Sequence, residues 1–283
     1  MATTYTDSKD IGQEESKGSD EQNKTTSLNS RSLGQRKLSA GSYDLNRWLH
    51  GGYDSDIITT FYGGPGSGKT NFCLCAAVSQ AKKGNKVIFI DTEGGFSSER
   101  VKQLIGANNG NGNGDLDKVL ENILLLKPTN FKEQKEAFDK LLKYLNNEVS
   151  LIIVDGMTML YRLEFADARE KRIEEAENGN VDKKNDIHHI QKVNAELTRQ
   201  MRLIAEIARK RGIPVLVTNQ VYNWDNETKM VGGDILKYWS KCLIELENDR
   251  GRRTAYLRKH RSLAEKSFGF QIYDLGIRKK GWI

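Results

Sequence analysis

Apolar residues along this 283-residue chain follow two rhythms. Short unbroken apolar runs at 57–62, 86–90, 123–126, 151–154 and 214–218 are too short for helices and rich in Ile, Val and Leu. They predict strands buried on both faces. Between them lie helix-compatible stretches at 71–83, 97–105 and 130–146. A long one follows at 187–211, where Ile187, Ile190, Val193, Leu197, Met201, Ile204 and Ala208 recur at three- and four-residue steps. Strands alternating with helices predict an α/β fold with a mainly parallel sheet flanked by helices. Near the end, 243–247, 252–259 and 268–273 alternate polar with apolar between turn-rich pieces, which predicts an antiparallel C-terminal extension.

Polar stretches set the expected boundaries. Residues 1–37 are Ser-, Thr-, Asn- and Gln-rich with almost no large apolar side chains, so they predict a disordered tail, with one ordered core over 38–283. The Asn/Gly run at 108–115 reads as an insertion in a surface loop, and 164–186, acidic and poor in apolar residues, as a third irregular stretch.

The net charge of +6 sits wholly in residues 41–283, because 1–40 carry six basic and six acidic side chains. Arg250, Arg252, Arg253, Arg258, Lys259 and Arg261 form a strip without an acid, which suits a polyanion or simply a solvated face. No apolar run approaches a membrane span and no apolar signal segment opens the chain, so no membrane partner is expected. Three cysteines, two of them in the helix after residue 70, fit reduced, core-packed thiols and a cytoplasmic location better than a metal site.

One segment carries specific chemistry. Gly63-Gly64-Pro65-Gly66-Ser67-Gly68-Lys69-Thr70 fits the pattern G-x-x-x-x-G-K-[ST] at every fixed position, after an apolar strand and before a helix opening at Asn71. The glycines let backbone N–H groups converge on phosphate oxygens at a helix N-terminus. Lys69 would neutralise the β- and γ-phosphates and the Thr70 hydroxyl would ligate Mg²⁺. A nucleoside triphosphate, ATP, with Mg²⁺ is the expected ligand. Asp155, closing the strand at 151–154, would stand beside that metal, or else belong to a plain Asp-Gly turn. Glu93, after the strand at 86–90, is the candidate general base that polarises the attacking water, or a helix N-terminal acid stabilised by the dipole.

These residues, taken with Thr218-Asn219-Gln220-Val221, Gly232-Gly233-Asp234-Ile235 and the opening at Ser39-Ala40-Gly41, stand in the order found in RecA-type ATPases of the archaeal and eukaryotic recombinase branch. The resemblance covers 38–283 and is nearest to an archaeal paralogue made of the ATPase core alone. It implies a RecA-type P-loop core and assigns Glu93 the catalytic glutamate position and Gln220 the γ-phosphate sensor. Arg100 matches the arginine that stacks on adenine, and Lys259-His260-Arg261 looks like a K-x-R finger reaching into a neighbour's ATP. Such a finger would require a homo-oligomer; a basic edge strand is the plain alternative.

The resemblance also implies DNA, single-stranded, as a partner, with Arg162, Tyr222, Trp224 and Lys229 flanking the two DNA-facing loops. They serve equally as loop residues packing on their own domain. Several features depart from an autonomous strand-exchange enzyme. Only the polar tail precedes the core, no Phe occurs in residues 1–40, the second loop has just 221–231, and the first is acidic. The expectation is therefore a slowly hydrolysing, DNA-binding accessory factor of the main RecA-family recombinase. The alternatives are a KaiC-like signalling ATPase acting on protein partners and a non-hydrolysing nucleotide-gated scaffold. His188, His189, Trp239 and Trp282 are read as helix or packing residues.

Overall fold

The computed structural model of the protein describes residues 37–106, 113–177, 183–224 and 227–281. Thirteen strands and eight helices occur among the described residues. They begin with β1 (Lys37–Leu38), α1 (Tyr43–Trp48), β2 (Tyr53–Asp54) and β3 (Ile58–Tyr62), followed by α2 (Lys69–Ala81), β4 (Lys86–Asp91), α3 (Ser98–Ile105) and α4 (Asn113–Glu121). Then come β5 (Ile123–Leu126), α5 (Phe131–Tyr144), β6 (Val149–Asp155), α6 (Met159–Glu177), α7 (Lys183–Arg211) and β7 (Val215–Asn219). The chain closes with β8 (Val221–Trp224), β9 (Glu227–Met230), α8 (Gly233–Trp239), β10 (Cys242–Asp249), β11 (Arg252–Lys259), β12 (Lys266–Tyr273) and β13 (Gly276–Lys279).

Nine strands form one sheet in the order β13-β12-β11-β10-β3-β7-β6-β4-β5. From β10 to β5 every neighbouring pair is parallel, and β11, β12 and β13 add antiparallel. The fold is thus the α/β class expected. Residues 243–247 open the expected antiparallel meander through β11, and their other edge also pairs parallel with β3, which the sequence reading did not foresee. Alternation alone does not distinguish the two directions; the partner strand decides.

Both faces of the central strands are buried, and alternate residues of one strand serve opposite cores; on the edge strand β5, Leu124 is exposed. On β6, Leu151 and Ile153 join Phe61, Phe72, Leu74 and Val101, whereas Ile152 and Val154 join Phe138, Leu197, Met201 and Ile204. The two-sided burial explains why these strands read as unbroken apolar runs. A relay of rings, Trp48–Phe268–Phe270–Phe72–Phe61, with centroids 5.2 to 6.2 Å apart, packs the C-terminal strands onto α2, the helix that follows the phosphate loop.

The stretch 164–186 is not irregular where it is described. It forms most of α6 and the start of α7, two helices packed as a pair, and only 178–182 lie outside the described residues. Ala, Glu, Arg, Leu and Lys dominate 159–177 without a Gly or Pro, so propensity favours a helix where low hydrophobicity alone suggested a loop. The Asn/Gly insertion falls partly outside the described residues (107–112), and Asn113 already belongs to α4. Nearly all of the expected tail, 1–36, also lies outside them. Among the described residues, no helix is long and apolar enough to cross a membrane.

Candidate functional site

The phosphate loop links the C-terminal end of β3 to α2, and its glycines answer steric demands. A Cβ on Gly63 would run into the Leu246 carbonyl of β10, so the loop can leave the sheet only through a residue without one. Gly68 caps α2 with φ 111°, and a Cβ there would stand 3.0 Å from Ile272 Cδ1. The N-terminus of α2 therefore opens toward the loop with its first N–H groups available to an anion.

Around it lies an open cavity of about 560 Å³, lined by Pro65, Gly66, Gly68, Lys69, Thr70 and Asn71 of the loop and helix, and by Glu93, Gln220, Arg253 and Ile272. That size falls in the range of ligand sites. The ammonium of Lys69 folds back to donate to the carbonyls of Gly63 (2.9 Å) and Gly64 (3.0 Å). Burial holds its pKa below the ordinary lysine value, against the attraction of Glu93 and Asp155.

Asp155, at the end of β6, is 1% exposed. Its Oδ1 accepts a hydrogen bond from Thr218 at 2.6 Å, while its Oδ2 is buried without a hydrogen-bond partner. Burial pushes the carboxyl up to about 6, against the Thr218 hydrogen bond and the opposing effect of the nearby Thr70 hydroxyl, with Glu93 and Asp91 adding to the rise. A Cβ placed on Gly95 would lie 3.2 Å from both Asp155 Oδ2 and Thr70 Oγ1, so a glycine keeps open the space where the two oxygens meet. A buried carboxylate oxygen without a partner beside a hydroxyl, at the head of a phosphate loop, fits a divalent cation with hard oxygen ligands.

The turn after β4 is organised by Asp91, a role the sequence reading did not assign. Its buried carboxylate accepts from the backbone N–H groups of Glu93 (3.3 Å), Gly95 (3.1 Å) and Phe96 (3.0 Å). Thr92 Oγ1 pins the same turn to the carbonyls of Asp155 and Gly156. Glu93 is thereby held on the cavity rim, where Gln220 Nε2 donates to its Oε2 at 3.1 Å. Two residues 127 positions apart, singled out separately, thus meet.

Gln220 stands at the root of a hairpin, β8 and β9, in the stretch 221–231 expected to be a loop. Its carbonyl accepts from Val231 N–H, Asn219 Nδ2 donates to the Val231 carbonyl at 2.8 Å, and Thr158 Oγ1 donates to Asn219 Oδ1. Beyond this clamp, β8 and β9 pair antiparallel and set Tyr222 opposite Lys229. Tyr222 is 41% exposed and near enough to Tyr161 to add to the rise that burial gives the Tyr161 hydroxyl. Arg162, exposed, comes next on α6. The side chain of Trp224 lies outside the described residues.

All three nitrogens of the Arg100 guanidinium donate hydrogen bonds. They donate to Asn71 Oδ1 (2.8 Å), Gln103 Oε1 (2.8 Å), and the carbonyls of Tyr273 (2.9 Å) and Asp274 (3.1 Å). The planar group is thereby fixed at Asn71, beside the phosphate loop.

Lys259 and Arg261 are not arranged as a single-faced pair. They lie at the end of the sheet opposite this chain's own phosphate loop, since β11 runs antiparallel to β10 and ends opposite Leu243. Lys259 Nζ donates to the Lys237 carbonyl at 2.9 Å. Arg261, past the end of β11, meets Asp54 at 2.9 Å and Asp56 at 2.8 Å. His260 Nδ1 accepts from Ser262 and Leu263 N–H, which turns the chain there and ends the strand's alternation. Trp239 packs against the α7 side of the core, and all three cysteines are buried free thiols.

The chain matches the Rad51 family over residues 35–280. It is 38% identical over 233 residues to the DNA repair and recombination protein RadB of Methanocaldococcus jannaschii, covering 82% of this chain and 98% of that protein. A RadB protein of Methanococcus maripaludis is 36% identical over 234 residues, covering 82% of this chain and 96% of its own length. A solved structure described as the crystal structure of the RadB recombinase superposes with a TM-score of 0.65 at 32% identity, covering 86% of this chain and all of that one.

Proposed function

We propose, for a chain that belongs to the Rad51 family, that it binds ATP with Mg²⁺, turns it over slowly, and serves DNA repair and homologous recombination as an accessory of the main recombinase. The observation that carries the nucleotide reading is the meeting of the unpartnered Asp155 Oδ2 with the Thr70 hydroxyl at the head of the phosphate loop. Loop N–H groups and Lys69 bind the phosphates, and Thr70 with Asp155 hold the cation. Bound Mg²⁺ would neutralise charge developing on the phosphate oxygens.

Glu93 takes the proton of the attacking water. Its exposed position leaves that water poorly secluded, which supports slow turnover by the isolated chain. Gln220, bonded to Glu93 on one side and rooted in the hairpin on the other, passes the state of the γ-phosphate to Tyr222 and Lys229. An exposed aromatic paired across a hairpin with a cation suits stacking on single-stranded DNA. The stretch after Arg162, expected from the resemblance to be the first DNA-facing loop, forms the helix pair α6 and α7, which supports an auxiliary role. The core over 38–283 acts as one ATPase domain.

The test joins two measurements. Lys69→Ala should lose ATP binding by titration, whereas Glu93→Gln should keep it and lose phosphate release. Wild-type turnover by the Glu93 variant removes it from the base role. Anisotropy of labelled single-stranded DNA across a salt series should show affinity falling linearly in log salt, and no binding at low salt in either nucleotide state refutes the DNA role.

A further inference from the structure

The strip from residue 250 to 261 looks uniform in sequence, but its cations are unlike one another. Arg258 is paired with Glu245 at 2.7 Å and Arg261 with Asp54 and Asp56. Elsewhere, Arg199 is paired with Glu196 and Asp139, and Arg100 donates to four acceptors. Arg253 is different. Like exposed Arg250 and Arg252, its side chain makes no hydrogen bond or ion pair among the described residues, but unlike theirs its Nε is fully buried without a partner. It is half-buried and lines the phosphate-loop cavity beside Pro65, Gly66 and Lys69.

Its position is set by the sheet. Arg253 lies on β11 directly across from Asn248 of β10, and Asn248 Nδ2 donates to the Gly66 carbonyl at 3.3 Å. On its other side it registers with Phe270 of β12, whose ring packs on Phe72 of α2. The strand carrying Arg253 is therefore fixed to the phosphate loop from two directions. A guanidinium with a buried, unpartnered donor is unfavourable in a folded chain unless an anion meets it. The cavity it faces is the one whose loop and helix N-terminus favour an anion.

We propose that Arg253 contacts the polyphosphate of the nucleotide bound in its own subunit, a cation in cis additional to Lys69. The inference rests on the reading of this cavity as the ATP site. Arg253 adds a planar, permanently charged fork to the site, and it makes the site depend on phosphate charge as well as loop geometry. It comes from the antiparallel extension, so nucleotide affinity is tied to the docking of β11 and β12 on the ATPase sheet.

Arg253→Met keeps the aliphatic stem and removes the charge; Arg253→Lys keeps the charge and removes the fork. Titration of Mg·ATP should show Arg253→Met weakened by about ten- to a hundredfold, the worth of one charge-assisted hydrogen bond, with Arg253→Lys in between. Inorganic tripolyphosphate, used as a competitor, should lose affinity in parallel. Without nucleotide, Arg253→Met should melt at or above the wild-type temperature, whereas a merely structural arginine would lower it. ATP affinity unchanged in Arg253→Met but lost in Lys69→Ala overturns the proposal alone. Unchanged affinity in both variants overturns the site reading with it. Weakened ATP binding with wild-type tripolyphosphate competition also overturns the proposal, because the contact would then not be to phosphate.

Discussion

Replacing Asp155 with Asn should stabilise this protein when no nucleotide is present. The carboxyl is 1% exposed and its pKa is raised from 3.8 to about 6. A folded-state pKa above the unfolded value means that the folded chain favours the protonated acid. The group's stabilising contribution is then complete below pH 3.8 and is lost as the pH rises through about 6. At pH 7.5 the charged, buried carboxylate costs about 3 kcal/mol, from about 1.4 kcal/mol per tenfold in proton affinity. Asn keeps the shape, can still accept from Thr218, and can donate to the Thr70 hydroxyl. For a domain of this size, about 3 kcal/mol corresponds to a melting temperature roughly 6 °C higher. Differential scanning calorimetry in chelator at pH 7.5 measures the gap, which should close as the pH approaches 4. Mg·ATP at a hundredfold its Kd should raise the wild type by about 3 kcal/mol and leave the variant nearly unmoved. The reasoning is refuted if Asp155→Asn melts at or below wild type in chelator, or if the gap ignores pH.

Three further outcomes follow from the same geometry. Asp54→Asn strands Lys37 and Arg261, which meet that carboxylate at 2.9 Å each, and should cost roughly 2–3 kcal/mol by urea denaturation, less than a fully buried pair because both cations keep some water. Burial pushes the Asp54 carboxyl up, but hydrogen bonds from Lys37 and Arg261 outweigh it and its pKa is lowered from 3.8, so its contribution is present above that pH and lost below it. Gly68→Ala forces a Cβ to a φ of 111° and to 3.0 Å from Ile272 Cδ1; it should destabilise by about 1–3 kcal/mol and abolish ATP binding by titration. Gln220→Ala removes the hydrogen bond to Glu93 and should leave ATP affinity within about threefold while erasing any difference in DNA affinity between the ATP-bound and nucleotide-free states.

What the sequence determined by itself was what depends on near neighbours. The loop from Gly63 to Thr70 needs its residue types at fixed spacing, and the apolar runs need no partner to be read as doubly buried strands, so fold class and loop were both legible. Helix α6 was legible too, in propensity, but its low hydrophobicity hid it. Tertiary structure decided everything that rests on residues far apart in the chain. It set β10 parallel to β3, brought Gln220 to Glu93, and placed Tyr222 across from Lys229. It also sent Lys259 and Arg261 to separate partners and chose Arg253, out of six basic neighbours, to face the phosphate loop. A charge in sequence is only a charge. Whether it becomes an ion pair, a strut or a ligand contact depends on which acid or cavity the sheet register sets opposite it, and on how much water the packing leaves there.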